Sequence, residues 1–170
     1  IMLSLLPQLG GYAISFVVIA SYWFGHRMTM QAVTNVNNTF IWLNFIFLFF
    51  VAIFPVPTNL LGLHFGEAAP TIIYACFSAT TGFFLWLLWV YASGKAQLLH
   101  PRFSSREIRY HNVFYLLRSI VYLLSLFIIF VPNGSYIFFV IWAVVVRLLA
   151  FILKKVLLPR IKAKKQAVAG

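Results

Sequence analysis

Long apolar runs separated by short polar or basic breaks set the pattern of this chain. A helix crossing the hydrocarbon core of a bilayer needs about 20 predominantly apolar residues. Five stretches meet that length or come near it. The first runs from Ile1 to His26 and carries no formal charge before Arg27. The second runs from Phe40 to Phe54 and continues through Pro55-Val56-Pro57-Thr58 toward Leu63, where the prolines remove backbone donors and kink or end the helix. The third runs from Pro70 to Tyr91, with Pro70 in a first turn, where proline is tolerated. The fourth runs from Tyr110 to Val131, interrupted by Arg118; Pro132-Asn133-Gly134 then reverses the chain into a fifth, from Ser135 to Leu153, interrupted by Arg147. The pattern predicts an all-α, multi-pass transmembrane helical bundle with five spans, organised as one domain over residues 1–170.

The breaks orient this bundle. Arg27 separates the first two runs, and Lys95, Arg102, Arg106 and Arg109 separate the third and fourth. A basic tail over residues 154–170, with Lys154, Lys155, Arg160, Lys162, Lys164 and Lys165, follows the fifth. The positive-inside bias puts these segments, and so the C-terminus, in the cytoplasm. The segment Asn59 to Ala69 and the turn at Pro132 hold no Lys or Arg and face outside. Ile1 then lies outside without a cleavable signal before it, and the expectation is that one more helix originally preceded it, making six in the complete unit.

Composition agrees: 63% of residues are apolar and 9% charged, against about 45–50% and 25% in soluble domains. The net charge of +11 raises the possibility of nucleic acid. The aromatic residues, however, lie inside the apolar runs rather than between the basic ones, so base stacking is not the expectation. The tail suits a surface of anionic lipid, and topology alone would also require it. Cys76 is a lone cysteine within an apolar run, which excludes a disulfide framework. With two carboxylates and no zinc-protease, phosphate-loop or nucleophile-elbow pattern, the chain is not expected to be an enzyme or to hold a cofactor or metal. Glu107 and His111 share a helix face at i,i+4, an ordinary surface pair.

The side chains that interrupt the apolar runs are the candidates for function. His26 follows Trp23 by about one turn, so both project from one face. Two readings stand: an ionisable group at membrane depth with a functional partner, or an interfacial pair meeting headgroups. Asn37 and Asn44 are seven residues apart on one face of the second run, and Asn44 is deep enough to require a partner on another helix. It serves either as helix glue or as part of a network around an ion path. Arg147 can snorkel to the cytoplasmic interface. Arg118 is deeper, near Tyr115, Ser119 and Tyr122, and is a candidate for intramembrane charge pairing. Ser78 and Gly82 make a small-xxx-small pair suited to close helix packing.

Trp23-Phe24-Gly25-His26, then Trp42-Leu43-Asn44, then Phe54-Pro55-Val56-Pro57-Thr58, and the basic loop before the fourth run together resemble the transmembrane protein 175 family of potassium channels. The resemblance implies a six-helix repeat with both ends cytoplasmic, the five runs here corresponding to family helices two to six. It implies a single-repeat, prokaryotic form that assembles as a homotetramer in the cell membrane. It also implies that Trp23, His26 and Asn44 form the network supporting the pore helix. The family's R-x-x-x-F-S-D motif and pore-lining first helix have no match in these residues. The expected function is a subunit of a cation channel passing potassium over sodium, with potassium as the permeant ion and the lipid bilayer as surroundings. No T-V-G-Y-G filter loop is present in the sequence. A secondary transporter or a noncatalytic membrane scaffold are the alternatives.

Overall fold

The computed structural model describes residues 2–127 apart from 65 and 95–97, together with the single positions 137, 144 and 151. The expected fifth span, the Pro132 turn, Lys95, Arg147 and the basic tail lie outside the described residues, save for the three single positions. Five helices follow in order: α1 Met2–Ala32, α2 Asn38–Ile53, α3 Pro55–Leu63, α4 Ala68–Ser93 and α5 Ser105–Ser125. Among the described residues the only strand-like pairing is an isolated antiparallel bridge between Val33 and Leu99. Two helical stretches there are long and apolar enough to cross a membrane: Asn38–Leu63, taken through the break between α2 and α3, and Ala68–Ser93.

The break has a local cause. Pro55 has no N–H to offer the carbonyl of Val51, and the N–H of Phe54 donates to that oxygen instead, at 3.3 Å. Pro55 then occupies the first turn of α3, where the missing donor costs nothing. The Phe54 carbonyl accepts from both the Thr58 N–H at 3.3 Å and the Thr58 hydroxyl at 2.8 Å. Phe54 itself is fully buried, its ring against Tyr22, Tyr74 and Phe77. The bend is therefore held by packing as well as by proline chemistry.

Helices α4 and α5 pack closely because α4 presents small residues. Ser78, Ala79 and Gly82 are all buried there. A Cβ placed on Gly82 would lie 2.7 Å from Ser119 Oγ and 3.5 Å from the Tyr22 ring. The small-xxx-small pair thus marks the point where α1, α4 and α5 converge. Trp86 Nε1 donates to Asn112 Oδ1 at 2.6 Å, and Trp89 Nε1 to the Ile108 carbonyl at 3.2 Å, fixing the other end of the α4–α5 pair.

At that end the α1–α2 turn is stitched to the α4–α5 loop. Thr34 N–H donates to the Leu98 carbonyl at 2.9 Å, and His100 N–H to the Ala32 carbonyl at 2.8 Å. Arg102 donates to the Gln31 carbonyl at 3.4 Å. His100 and Arg102 thereby take up carbonyls left open where α1 ends. Arg27, Arg102, Arg106 and Arg109 are all exposed at this end of the fold. The turn between α3 and α4, where Gly66 takes a φ of 98°, lies at the other.

Helix α5 begins earlier than the apolar pattern indicates. Ser104 and Glu107 form a capping box: Glu107 N–H donates to Ser104 Oγ at 3.3 Å, and Ser104 N–H to Glu107 Oε2 at 2.8 Å. Glu107 is thus a capping residue as well as the i,i+4 neighbour whose charge acts on His111. The His111 ring also lies 4.8 Å from that of Trp89.

Candidate functional site

A groove of about 290 Å³ opens between α1 and α2. One wall is Phe16, Ile19, Ala20, Trp23 and His26, which recur along α1 at helical spacing; the other is Phe47, Leu48 and Val51 of α2. Its surface is almost wholly apolar, and His26 is the one ionisable side chain lining it. Phe16 at 73% exposure and Trp23 at 55% stand on its rim. A surface of this kind is stable against lipid or against another apolar helix, not against water.

His26 is where the groove meets a polar tie. Its Nε2–H donates to Asn44 Oδ1 at 2.7 Å, joining α1 to α2 across the turn that links them. The imidazole stacks on Phe47, centroids 5.1 Å apart and planes inclined by 15°. Asn44 thus has the partner on another helix that its depth required. Trp23 stands on the same wall of the groove as His26; its ring meets Phe24 edge-on at 5.6 Å and lies 5.9 Å from the Arg27 guanidinium carbon. The structure therefore joins two of the three singled-out side chains directly and places the third beside them.

Asn37 does something different from Asn44. It caps α2, its Oδ1 accepting from Phe40 N–H at 2.9 Å, while its Nδ2 donates to the Tyr91 hydroxyl at 2.9 Å. The seven-residue spacing to Asn44 is thus incidental to the cap.

Arg118 lies away from the groove, 4% exposed, on the side of α1 that faces α5. Its Nη2 donates to Ser21 Oγ at 2.6 Å and its Nη1 to the Ser21 carbonyl at 3.3 Å. Its guanidinium carbon sits 3.8 Å from the centre of the Tyr22 ring. Arg118 was a candidate for charge pairing; its contacts among the described residues are to a hydroxyl, a carbonyl and an aromatic face. About one turn away on α5, Tyr115 donates to the Gly25 carbonyl at 2.9 Å. Ser21 and Tyr22 are partners of Arg118 that sequence reasoning passed over; two adjacent polar side chains in an otherwise apolar run were the signal. Among the described residues, no group of three or more His, Cys, Asp or Glu side chains could hold a metal ion.

Residues 1–55 match the family model described as endosomal/lysosomal potassium channel TMEM175. That stretch contains α1, α2 and the groove. A protein named as a potassium channel from Chryseobacterium sp. (strain P1-3) is 33% identical over 64 residues, 37% of this chain and 33% of that protein. Another so named, from Streptomyces collinus (strain DSM 40733 / Tue 365), is 26% identical over 129 residues, 74% of this chain and 63% of that protein. The chain covers less than two thirds of either relative's length. No solved structure matches. The resemblance drawn from Trp23 to Thr58 coincides with the family match as far as residue 55.

Proposed function

We propose that this chain is a subunit of a potassium-permeable cation channel of the cell membrane, passing potassium over sodium, in which a further, pore-lining helix seats in the α1–α2 groove. The observation that carries this is the His26–Asn44 hydrogen bond at one end of an open apolar groove, inside the stretch that matches a potassium-channel family. The groove suits a helix: it is long, apolar and lined at i, i+3, i+4 spacing from α1. His26 and Asn44 brace the two helices that form its walls, with Trp23 on the rim.

Four copies around a common axis would bring four such pore helices together, with the lipid bilayer outside. The arginine-rich end of the fold faces the cytoplasm, and with it the C-terminus. No residue of the chain has to perform chemistry in this reading; selection rests on the width and lining of the path.

The test is potassium-driven flux in liposomes carrying the full-length protein, with sodium as the comparison ion. Potassium flux exceeding sodium flux, without coupling to a second ion, supports the channel. Strictly coupled, saturating flux would identify a transporter, and no flux from well-assembled protein would leave a scaffold.

A further inference from the structure

We propose that Arg118 is a positioning residue that sets the rotation of α1 about its own axis and thereby aims His26 at Asn44. Helix α1 is apolar in nearly every direction, so hydrophobicity does not decide which of its faces meets α2. Lipid gives helices no hydrophobic reason to associate by one face over another, and that choice falls to polar ties and close packing.

The ties on α1 are specific in direction. Arg118 grips the helix on two adjacent residues in two ways, its edge hydrogen bonding to Ser21 and its face covering Tyr22. The Ser21 hydroxyl donates to the Val18 carbonyl at 2.6 Å, so its oxygen is oriented to accept from Arg118. The Tyr22 hydroxyl donates to the Ser78 carbonyl on α4 at 2.6 Å, which holds the ring flat under the guanidinium. His26 lies just over one turn beyond. A rotation of α1 by one residue, about 100°, would take Ser21 from Arg118 and His26 from Asn44 together. One rotation satisfies both.

The choice of arginine also points to orientation over stability. The two carboxylates of the chain are engaged elsewhere, Glu67 with His64 and Glu107 with Ser104. The buried Arg118 Nε has no hydrogen-bond partner. A buried charge on such terms is costly, and an apolar side chain of similar length would avoid the cost. What that replacement would lose is the planar fork that reads Ser21 and the flat face that reads Tyr22, neither of which a lysine reproduces.

The test compares full-length wild type, Arg118→Met and Arg118→Lys in lipid nanodiscs. Two readouts report on α1 without using transport: the side-chain nitrogen NMR signal of His26 for its hydrogen bond to Asn44, and the distance distribution between spin labels at Val17→Cys and Phe49→Cys in a Cys76→Ser background. The expected result is folded protein in which both substitutions weaken or split the hydrogen-bonded His26 signal and broaden the distance distribution, Arg118→Met more than Arg118→Lys. Folded Arg118→Met protein with both readouts as in wild type would overturn the proposal. Should Arg118→Met fail to fold, Ser21→Ala decides by the same readouts, since it removes one acceptor and leaves the core volume nearly unchanged. A consequence for potassium flux rests on the channel reading. Absent flux from wild type would end that reading while the two spectroscopic readouts still decide this one.

Discussion

His26 and Asn44 are separated by eighteen residues and joined by a hydrogen bond of 2.7 Å, which makes them the polar hinge pin between α1 and α2. Neither side chain is fully exposed, and the Phe47 ring stacked on His26 shields the bond from one side. An amide and an imidazole in apolar surroundings each lose more by standing alone than they gain by pairing. The pair is therefore coupled.

Replacing either partner alone leaves a polar group without its mate, at a cost of about 1–3 kcal/mol. His26→Phe with Asn44→Leu removes both polar groups while keeping apolar volume. The double variant is expected to be more stable than the sum of the single losses implies, with a coupling of about 1 kcal/mol. Unfolding midpoints of the four proteins in a mild detergent give the cycle. Additive losses would show that the bond contributes nothing of its own.

The α4–α5 contact has a similarly specific test. Gly82→Ala is expected to be destabilising, because its Cβ would sit 2.7 Å from Ser119 Oγ and force that hydroxyl away from the Tyr115 carbonyl, to which it donates at 3.3 Å. The cost of such overpacking is about 1–3 kcal/mol. Ser119→Ala removes the obstructing atom, so the pair Gly82→Ala with Ser119→Ala should recover most of the loss. The same midpoint measurement reads it, and no recovery would show that the Ser119 hydroxyl is not the obstruction.

Topology follows from where the arginines gather. In a Cys76→Ser background, a cysteine at Ser104, beside Arg102 and Arg106, should react only after the membrane is made permeable. A cysteine at Ala69, at the opposite end of α4, should react with an impermeant reagent in intact cells. Both positions are exposed. External labelling at Ser104 would reverse the orientation.

How far the sequence carries depends on the kind of interaction. The α2–α3 break was legible because proline acts on its own neighbours, and the Phe54-to-Val51 and Thr58-to-Phe54 bonds follow from that local chemistry. Asn44 was legible as needing a partner, and His26 as a candidate, since a polar side chain in an apolar run carries a cost that some contact must offset. The start of α5 was also readable, since Ser104 and Glu107 have capping-box spacing, but the apolar pattern drew the boundary at Tyr110. The contact of Arg118 with Ser21 and Tyr22 was beyond reach: Ser21 alone is 97 positions away, and the contact depends on how three helices rotate against each other. The groove was hidden for the same reason, since an apolar wall reads the same whether it faces lipid, a neighbour or a gap.

In the proposed channel the groove between α1 and α2 seats the helix that lines an ion path. Ala20 is the small residue on its wall, and Ala20→Trp would fill it. Ile73→Trp, on the exposed surface of α4, adds the same ring away from that groove and serves as the control. The measurement is potassium flux into liposomes at matched content of assembled full-length protein. Flux well below wild type is expected for Ala20→Trp and near wild type for Ile73→Trp. Equal, wild-type flux from both would show that the groove seats no such helix.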